Sequence, residues 1–167
     1  MRSILIFPEM YNINEIQTIR KQYNPLAENI RPNISLVFPF KSDMPDTALI
    51  QRLNAILQEK RSFPTTFDRL GSDDNGYLWL EADYGKDNFI KLHDQLYEDK
   101  LLRPFLRTDI PYVPHITLGK VNSENLPNII GTLNLQKLSF STFIDTISIE
   151  KILPNNNSDE IYQLNLH

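Results

Sequence analysis

Two short stretches of this chain alternate polar and apolar residues in the same frame. Residues 113–120 read VPHITLGK and residues 31–38 read RPNISLVF, and both place Pro before His or Asn, then Ile, then Thr or Ser, then Leu. Side chains alternate between the two faces of a strand, so His115 and Thr117 share one face while the Ile and Leu beside them share the other. The pattern predicts two short strands, each presenting a pair of polar side chains.

The polar side chains of these frames suit the chemistry of a phosphate group. The hydroxyls of Ser35 and Thr117 can donate hydrogen bonds to non-bridging phosphate oxygens, and Lys120 can add a positive charge. His115 can take up or release a proton, because imidazole titrates near neutral pH. Asn33 precedes Ser35 by two residues, as His115 precedes Thr117. If the two frames pack about a pseudo-twofold axis, the two polar pairs face each other across one cleft.

The elements that must position these residues also occur twice in the sequence. Hydrophobic periodicity and turn residues predict strand, helix, motif strand, helix and strand in each half. The predicted segments are strand 3–7, helix 12–23, a motif strand from 33, a helix from 46 and extended chain from 65, followed by strand 77–83, a helix from 87, a motif strand from 115, a short helix within 123–133 and strand 143–153.

This order predicts a single domain over 1–167 that contains an internal duplication, about 1–70 and 77–153, with a closing C-terminal strand. The two frames lie about half a chain apart, which is the scale of a repeated supersecondary unit. Chains that mix helices and strands also alternate in this way without duplication. The shared frame at matching places favours the duplication.

Composition excludes several kinds of function. The chain has no cysteine, so it has no disulfide, no thiolate metal site and no cysteine nucleophile. Its formal net charge of -4 argues against binding extended duplex nucleic acid, which requires a basic surplus. The opening apolar run is too short for a signal peptide or a membrane span. We therefore expect a cytoplasmic, monomeric protein with no membrane partner.

The PHITL sequence at residues 114–118, with a basic residue shortly after it, resembles the signature of the two-histidine phosphoesterase superfamily. That superfamily includes the 2′-5′ RNA ligases and the 2′,3′-cyclic nucleotide phosphodiesterases. The resemblance implies an α+β fold of two pseudo-symmetric lobes, each a mainly antiparallel sheet backed by helices, around a central cleft. It also implies a small phosphodiester, a nucleotide or an RNA end as the ligand, and no cofactor.

The resemblance assigns roles to the residues of the two frames. His115 matches a catalytic histidine and Thr117 its hydroxyl partner, Ser35 matches the first hydroxyl, and Lys120 falls near a position that is often basic. Asn33 stands where the first histidine is expected. An amide cannot take up or release a proton at neutral pH, so this departure puts full cyclic phosphodiesterase activity in doubt. Losing one acid or base typically costs ~10² to 10⁴ in rate.

The remaining chemistry-bearing residues point to no second site. His93 lies among polar neighbours and is predicted to be a surface residue, and His167 is the last residue. The three histidines show no metal-ligand spacing, so we predict no metal. Four aromatic residues on predicted strands or beside them are candidates to stack on a base, although aromatic residues on strands more often belong to the core: Phe38, Tyr77, Trp79 and Tyr112.

Three functions fit these observations. The first is a phosphoesterase of the 2′-5′ RNA ligase or cyclic phosphodiesterase type, in which His115 is the surviving acid or base. The second is a non-catalytic module that binds a nucleotide or an RNA end. The third is a purely structural interaction domain whose cleft is vestigial.

Overall fold

The computed structural model describes all 167 residues as eight strands and four helices. Along the chain these are β1 (Arg2–Ile6), α1 (Ile13–Tyr23), β2 (Ile34–Phe40), α2 (Asp46–Leu57), β3 (Phe63–Ser72), β4 (Tyr77–Ala82), α3 (Lys86–Glu98), β5 (His115–Lys120), α4 (Leu126–Gln136), β6 (Phe140–Ile144), β7 (Thr146–Ile152) and β8 (Ser158–Asn165). Single 3₁₀ turns follow α3 and precede α4. No helix combines the length and the apolar character needed to cross a membrane.

The strands form two antiparallel sheets of four strands each. The first sheet has the order β2-β1-β7-β8, and the second has the order β5-β4-β3-β6. Helices pack against both sheets, so the predicted α+β class with two mainly antiparallel sheets is confirmed. The helices form where apolar residues recur at helical spacing: Leu49, Leu53 and Leu57 make the buried stripe of α2.

Each sheet takes strands from both halves of the chain. β3 comes from the first half but pairs with β4 in the second sheet, and β7 comes from the second half but pairs with β1 in the first sheet. The single strand predicted over 143–153 is therefore wrong. The chain leaves one sheet at Ile144, passes the exposed Asp145 and enters the other sheet at Thr146.

The two motif strands, β2 and β5, occupy equivalent places. Each is the outer strand of its sheet beside β1 or β4, and the two lie next to each other. Both pairing registers skip the leucine after the hydroxyl residue, Leu36 in β2 and Leu118 in β5, and the β2 register shifts a second time before Phe40. The skip after the hydroxyl residue is thus common to the two motif strands, and the internal duplication stays a prediction.

The helices of one half reach the motif strand of the other half. α1 packs against β5 and α3 packs against β2. The contact at β5 is so close that a Cβ on Gly119 would lie 2.4 Å from the Tyr23 Cβ and 2.7 Å from its carbonyl oxygen. Only glycine allows the backbones to approach this closely.

Candidate active site

His115 opens β5 and shares a polar face with its neighbours on β4. The register places it opposite Glu81 and places Thr117 opposite Trp79. Ile116, between His115 and Thr117, and its partner Leu80 on β4 are fully buried on the other face. Because paired residues on adjacent strands point to the same side of the sheet, this face carries an imidazole, a hydroxyl, an indole and a carboxylate.

The orientation of the His115 ring is fixed by a hydrogen bond to the carbonyl oxygen of Val113, 2.6 Å from Nδ1. A carbonyl can only accept, so Nδ1 carries the hydrogen and Nε2 of the neutral ring keeps a lone pair. The Trp79 ring supports the imidazole, with 5.1 Å between ring centroids. This geometry leaves Nε2 as the nitrogen that can exchange a proton with a ligand.

The electrostatics of the site keep His115 neutral at physiological pH. Burial lowers the pKa of His115 below its ordinary value of 6.5, and the bond to Val113 and the nearby Glu81 carboxylate oppose that shift only in part. Glu81 itself stays ionised. Its burial would raise its pKa, but hydrogen bonds from Lys86 Nζ at 2.9 Å and Trp79 Nε1 at 3.3 Å hold that pKa below the usual value.

Asn33 repeats the anchoring half of the histidine geometry. Its Nδ2 donates to the carbonyl oxygen of Arg31 at 2.9 Å, two residues back, as His115 Nδ1 does to Val113. The amide oxygen can accept a hydrogen bond but cannot hold a proton at neutral pH. The predicted strand start is off by one residue, since β2 begins at Ile34.

A direct hydrogen bond connects the first motif strand to the segment that leads into the second. The hydroxyl of Tyr112 donates to the carbonyl oxygen of Ser35 at 2.9 Å. Ser35 and Thr117 are both half-buried on their strands. The structure thus brings the first and second frames into one region of the molecule.

Lys120 reaches the polar face only because of the skip in the β5 register. In a regular strand, a residue five positions after His115 would point to the opposite side. The skip at Leu118 pairs Lys120 with Tyr77, and the Lys120 ammonium lies 4.7 Å from the centroid of that ring. Lys120 is exposed, so its charge is accessible from solvent.

A cation near Asn33, Arg31, was not among the predicted site residues. The guanidinium of Arg31 lies 3.9 Å from the centroid of the Phe7 ring and bonds to Glu160 at 2.8 Å. The available signal was its position two residues before Asn33, which places it on the same side of an extended chain. The partners Phe7 and Glu160 come from distant parts of the sequence and carried no such signal.

The prediction that His93 is a surface residue is wrong. His93 is only 6% exposed, stacks on Tyr112 with 3.9 Å between centroids, and bonds to Asp94 at 2.8 Å. Although its sequence neighbours are polar, helical pitch places His93 next to Phe89 and Leu96 on the buried face of α3. Of the four aromatic candidates, Phe38, Trp79 and Tyr112 are half-buried and Tyr77 is exposed.

The two four-stranded antiparallel sheets, with a polar His-x-Thr frame on the outer strand of one and an Asn-x-Ser frame on the outer strand of the other, form the two-lobed arrangement that the sequence resemblance implies. The profile of the 2′-5′ RNA ligase superfamily matches residues 8–153. The chain belongs to this superfamily, and the resemblance to two-histidine phosphoesterases is confirmed.

Known proteins that resemble this chain agree with the assignment. A protein of Oceanobacillus iheyensis that carries the name "Putative phosphoesterase" is 24% identical over 96% of this chain and 94% of its own length. Among solved structures, E. coli LigT in complex with 3′-AMP is 16% identical, covers 99% of this chain and 97% of its own, and has a TM-score of 0.64. E. coli LigT in complex with NADP⁺ is 18% identical, covers 99% of this chain and 96% of its own, and has a TM-score of 0.62. At these identities the structures support the two-lobed fold.

Proposed function

We propose that this protein binds small phosphodiesters, such as 2′,3′-cyclic or 2′-5′-linked nucleotides or RNA ends, and hydrolyses them with one of the two usual proton-transfer groups missing. The observation that carries the proposal is the His115 ring, which Val113 holds with Nε2 free. An oriented imidazole beside a hydroxyl can assist reaction at a phosphate, as a base when the ring is neutral and as an acid when it is protonated.

The proposed roles follow from the positions of the side chains. The Ser35 and Thr117 hydroxyls donate to non-bridging oxygens of the phosphate, and Lys120 supplies a positive charge at the rim. Water attacks phosphorus as one ester P–O bond breaks, and His115 Nε2 handles one proton of that exchange. No cofactor or metal has a role in this scheme.

Asn33 sets the limit on the proposed activity. It can hold a phosphate oxygen or the attacking water by a hydrogen bond, but the second proton must go to or come from solvent. We expect the rate to fall by ~10² to 10⁴ below that of a site with two histidines. A substrate with a good leaving group tolerates this loss best.

The alternative function is a non-catalytic module that holds a nucleotide or an RNA end. The favouring observation is again Asn33, whose amide reproduces the anchor of an imidazole and retains hydrogen-bonding groups for a ligand. E. coli LigT has been crystallised with 3′-AMP, with ATP and with phosphate, which supports a phosphate-containing ligand for either function. We propose a cytoplasmic monomer in both cases.

The test is hydrolysis of adenosine 2′,3′-cyclic monophosphate by the native chain, His115→Ala and His167→Ala. We expect activity in the native chain and in the His167→Ala control, and none in His115→Ala. Activity that survives in His115→Ala overturns the catalytic role of His115.

A melting experiment with the same nucleotide and with inorganic phosphate separates the remaining functions. A rise in Tm without turnover favours the binding module, because a ligand specific for the native state must stabilise it. An unchanged Tm together with no turnover would support the structural interaction domain instead.

A further inference from the structure

A cluster of three aromatic side chains from the second half of the chain holds the outer edge of β2. Tyr112 donates to the Ser35 carbonyl at 2.9 Å, and Tyr97 of α3 accepts a hydrogen bond from the Phe38 backbone N–H at 3.3 Å. His93 lies between the two tyrosines, 3.9 Å from the Tyr112 ring and 4.9 Å from the Tyr97 ring. An outer strand leaves such backbone groups unpaired, and here two tyrosine hydroxyls pair with them.

The hydroxyl of Tyr112 is a constant donor within this cluster. Burial raises the pKa of Tyr112 far above its ordinary value, so the hydroxyl keeps its proton. The stacked His93 is itself fixed by the Asp94 carboxylate at 2.8 Å. The ring of Tyr112 therefore has little freedom to turn its hydroxyl away from Ser35.

The same short segment controls the His115 ring. Val113, next to Tyr112, supplies the carbonyl that accepts from His115 Nδ1 at 2.6 Å. Pro114 restricts the backbone between Val113 and His115. Its carbonyl oxygen accepts a hydrogen bond of 3.0 Å from the backbone N–H of Ala82 in β4. A continuous path thus runs from the Ser35 carbonyl through Tyr112 and Val113 to the imidazole.

We infer that Tyr112 is a positioning residue that holds the Ser35 hydroxyl of one lobe in register with the His115 imidazole of the other. It does not touch the ligand. It fixes the Ser35 backbone on one side and the carbonyl that orients the imidazole on the other. The choice of a phosphate-containing ligand for this role rests on the proposed function.

The test compares two tyrosine hydroxyls of equal hydrogen-bond length. Tyr112→Phe removes the bond to Ser35 and keeps the ring, while the control Tyr162→Phe removes a 2.9 Å bond to Asn54 elsewhere in the fold. Affinity for inorganic phosphate and for adenosine 2′,3′-cyclic monophosphate is measured by calorimetry. We expect Tyr112→Phe to weaken binding roughly three- to tenfold, and the control to leave it unchanged at a similar Tm.

A double-mutant cycle with Ser35→Ala decides whether Tyr112 acts through Ser35. We expect the loss caused by Tyr112→Phe to shrink in the Ser35→Ala background, because the positioned hydroxyl is already gone. Fully additive losses, or equal losses in Tyr112→Phe and Tyr162→Phe, would overturn the inference.

A third measurement needs no ligand and separates this inference from the proposed function. The imidazole Nδ1–H signal of His115 is followed by NMR in the native chain and both tyrosine variants. We expect its exchange with solvent to speed up in Tyr112→Phe only. If the native chain binds neither probe, the proposed function fails, and the exchange rates still decide the role of Tyr112: equal rates in all three proteins contradict it.

Discussion

The two motif strands share two backbone features and differ in the residue that opens each frame. His115 and Asn33 both bond, through a side-chain nitrogen, to the carbonyl oxygen two residues earlier. In both strands the pairing register then skips the leucine that follows the hydroxyl residue. The substitution therefore preserves the anchor of the side chain and removes its capacity for proton transfer.

This difference separates two properties of the proposed site, holding a phosphate and moving a proton. The anchor bond is partly buried at His115 and exposed at Asn33. A hydrogen bond of this kind contributes about 1 kcal/mol to stability, and asparagine can donate it as histidine does. Proton transfer needs a group that titrates near neutral pH, and of the two residues only His115 does so.

The two motif strands also differ in how the opposite half contacts them. β5 receives the backbone of α1 directly at Gly119, whereas β2 receives the side chains of Tyr97 and Tyr112. Direct backbone packing is intolerant of added volume. Contact through long polar side chains leaves an adjustable hydrogen bond, and such a bond can be removed without creating a steric clash.

His115→Asn should make the second frame chemically like the first. We expect turnover to fall by ~10² to 10⁴ with little change in Tm, because the new amide can still donate to the Val113 carbonyl. The matched change Asn33→Ala removes no titrating group and should cost less than tenfold. Initial rates on adenosine 2′,3′-cyclic monophosphate check both, and equal losses in the two variants would erase the proposed difference between the frames.

Gly119→Ala tests the direct contact between α1 and β5. The added Cβ would meet the Tyr23 backbone, so we expect a loss of about 1–3 kcal/mol in the free energy of unfolding measured in urea. Gly131 of α4 is the control, since nothing lies within 4 Å of the position of its Cβ. Gly131→Ala should gain about 0.5–1 kcal/mol from helix propensity. An unchanged free energy of unfolding in Gly119→Ala would show that α1 and β5 are not in close backbone contact at this position.

The pH profile distinguishes which proton His115 handles. Burial lowers its pKa below 6.5, which favours the neutral ring at pH 7, the form that can act as a base. We expect turnover to be flat from pH 6.5 to 7.5 and to fall about tenfold per pH unit below that pKa, as the ring becomes protonated. The acid limb should persist in Asn33→Ala and disappear in His115→Asn. A rate that rises on acidification would assign the acid role instead.

Lys120→Met should have the smallest effect. The Lys120 ammonium is exposed and already rests on the Tyr77 ring, so we expect affinity for inorganic phosphate to fall only about two- to fivefold. The loss should shrink further as salt is raised, because salt screens an exposed charge. A loss greater than tenfold, independent of salt, would place Lys120 in a buried contact with the ligand.

Much of the fold could be predicted from local sequence signals. Periodicity located the buried face of α2, and the repeated five-residue frame located both motif strands to within one residue. The division of residues 143–153 between two sheets could not be predicted, because apolar residues recur on both sides of Asp145 and the sequence shows no turn there. Which sheet a strand joins depends on contacts between distant segments, such as β7 with β1.

The candidate site could be predicted as residue types but not as an arrangement. The frames indicated His115 and Asn33, yet the skip that brings Lys120 to the polar face is a property of strand pairing. His93 was misplaced because its polar neighbours masked its position on the buried face of α3. The bond between Tyr112 and Ser35 joins residues far apart in sequence and left no local pattern.

The most direct test of the account is the rate of hydrolysis of adenosine 2′,3′-cyclic monophosphate by Asn33→His beside the native chain. We expect the rate to rise by ~10² to 10⁴, because the new imidazole can donate to the Arg31 carbonyl and supply the missing proton transfer. The gain should vanish in the double variant that also carries His115→Ala. No gain in a folded Asn33→His that still binds the nucleotide would contradict the claim that Asn33 preserves a disarmed catalytic position.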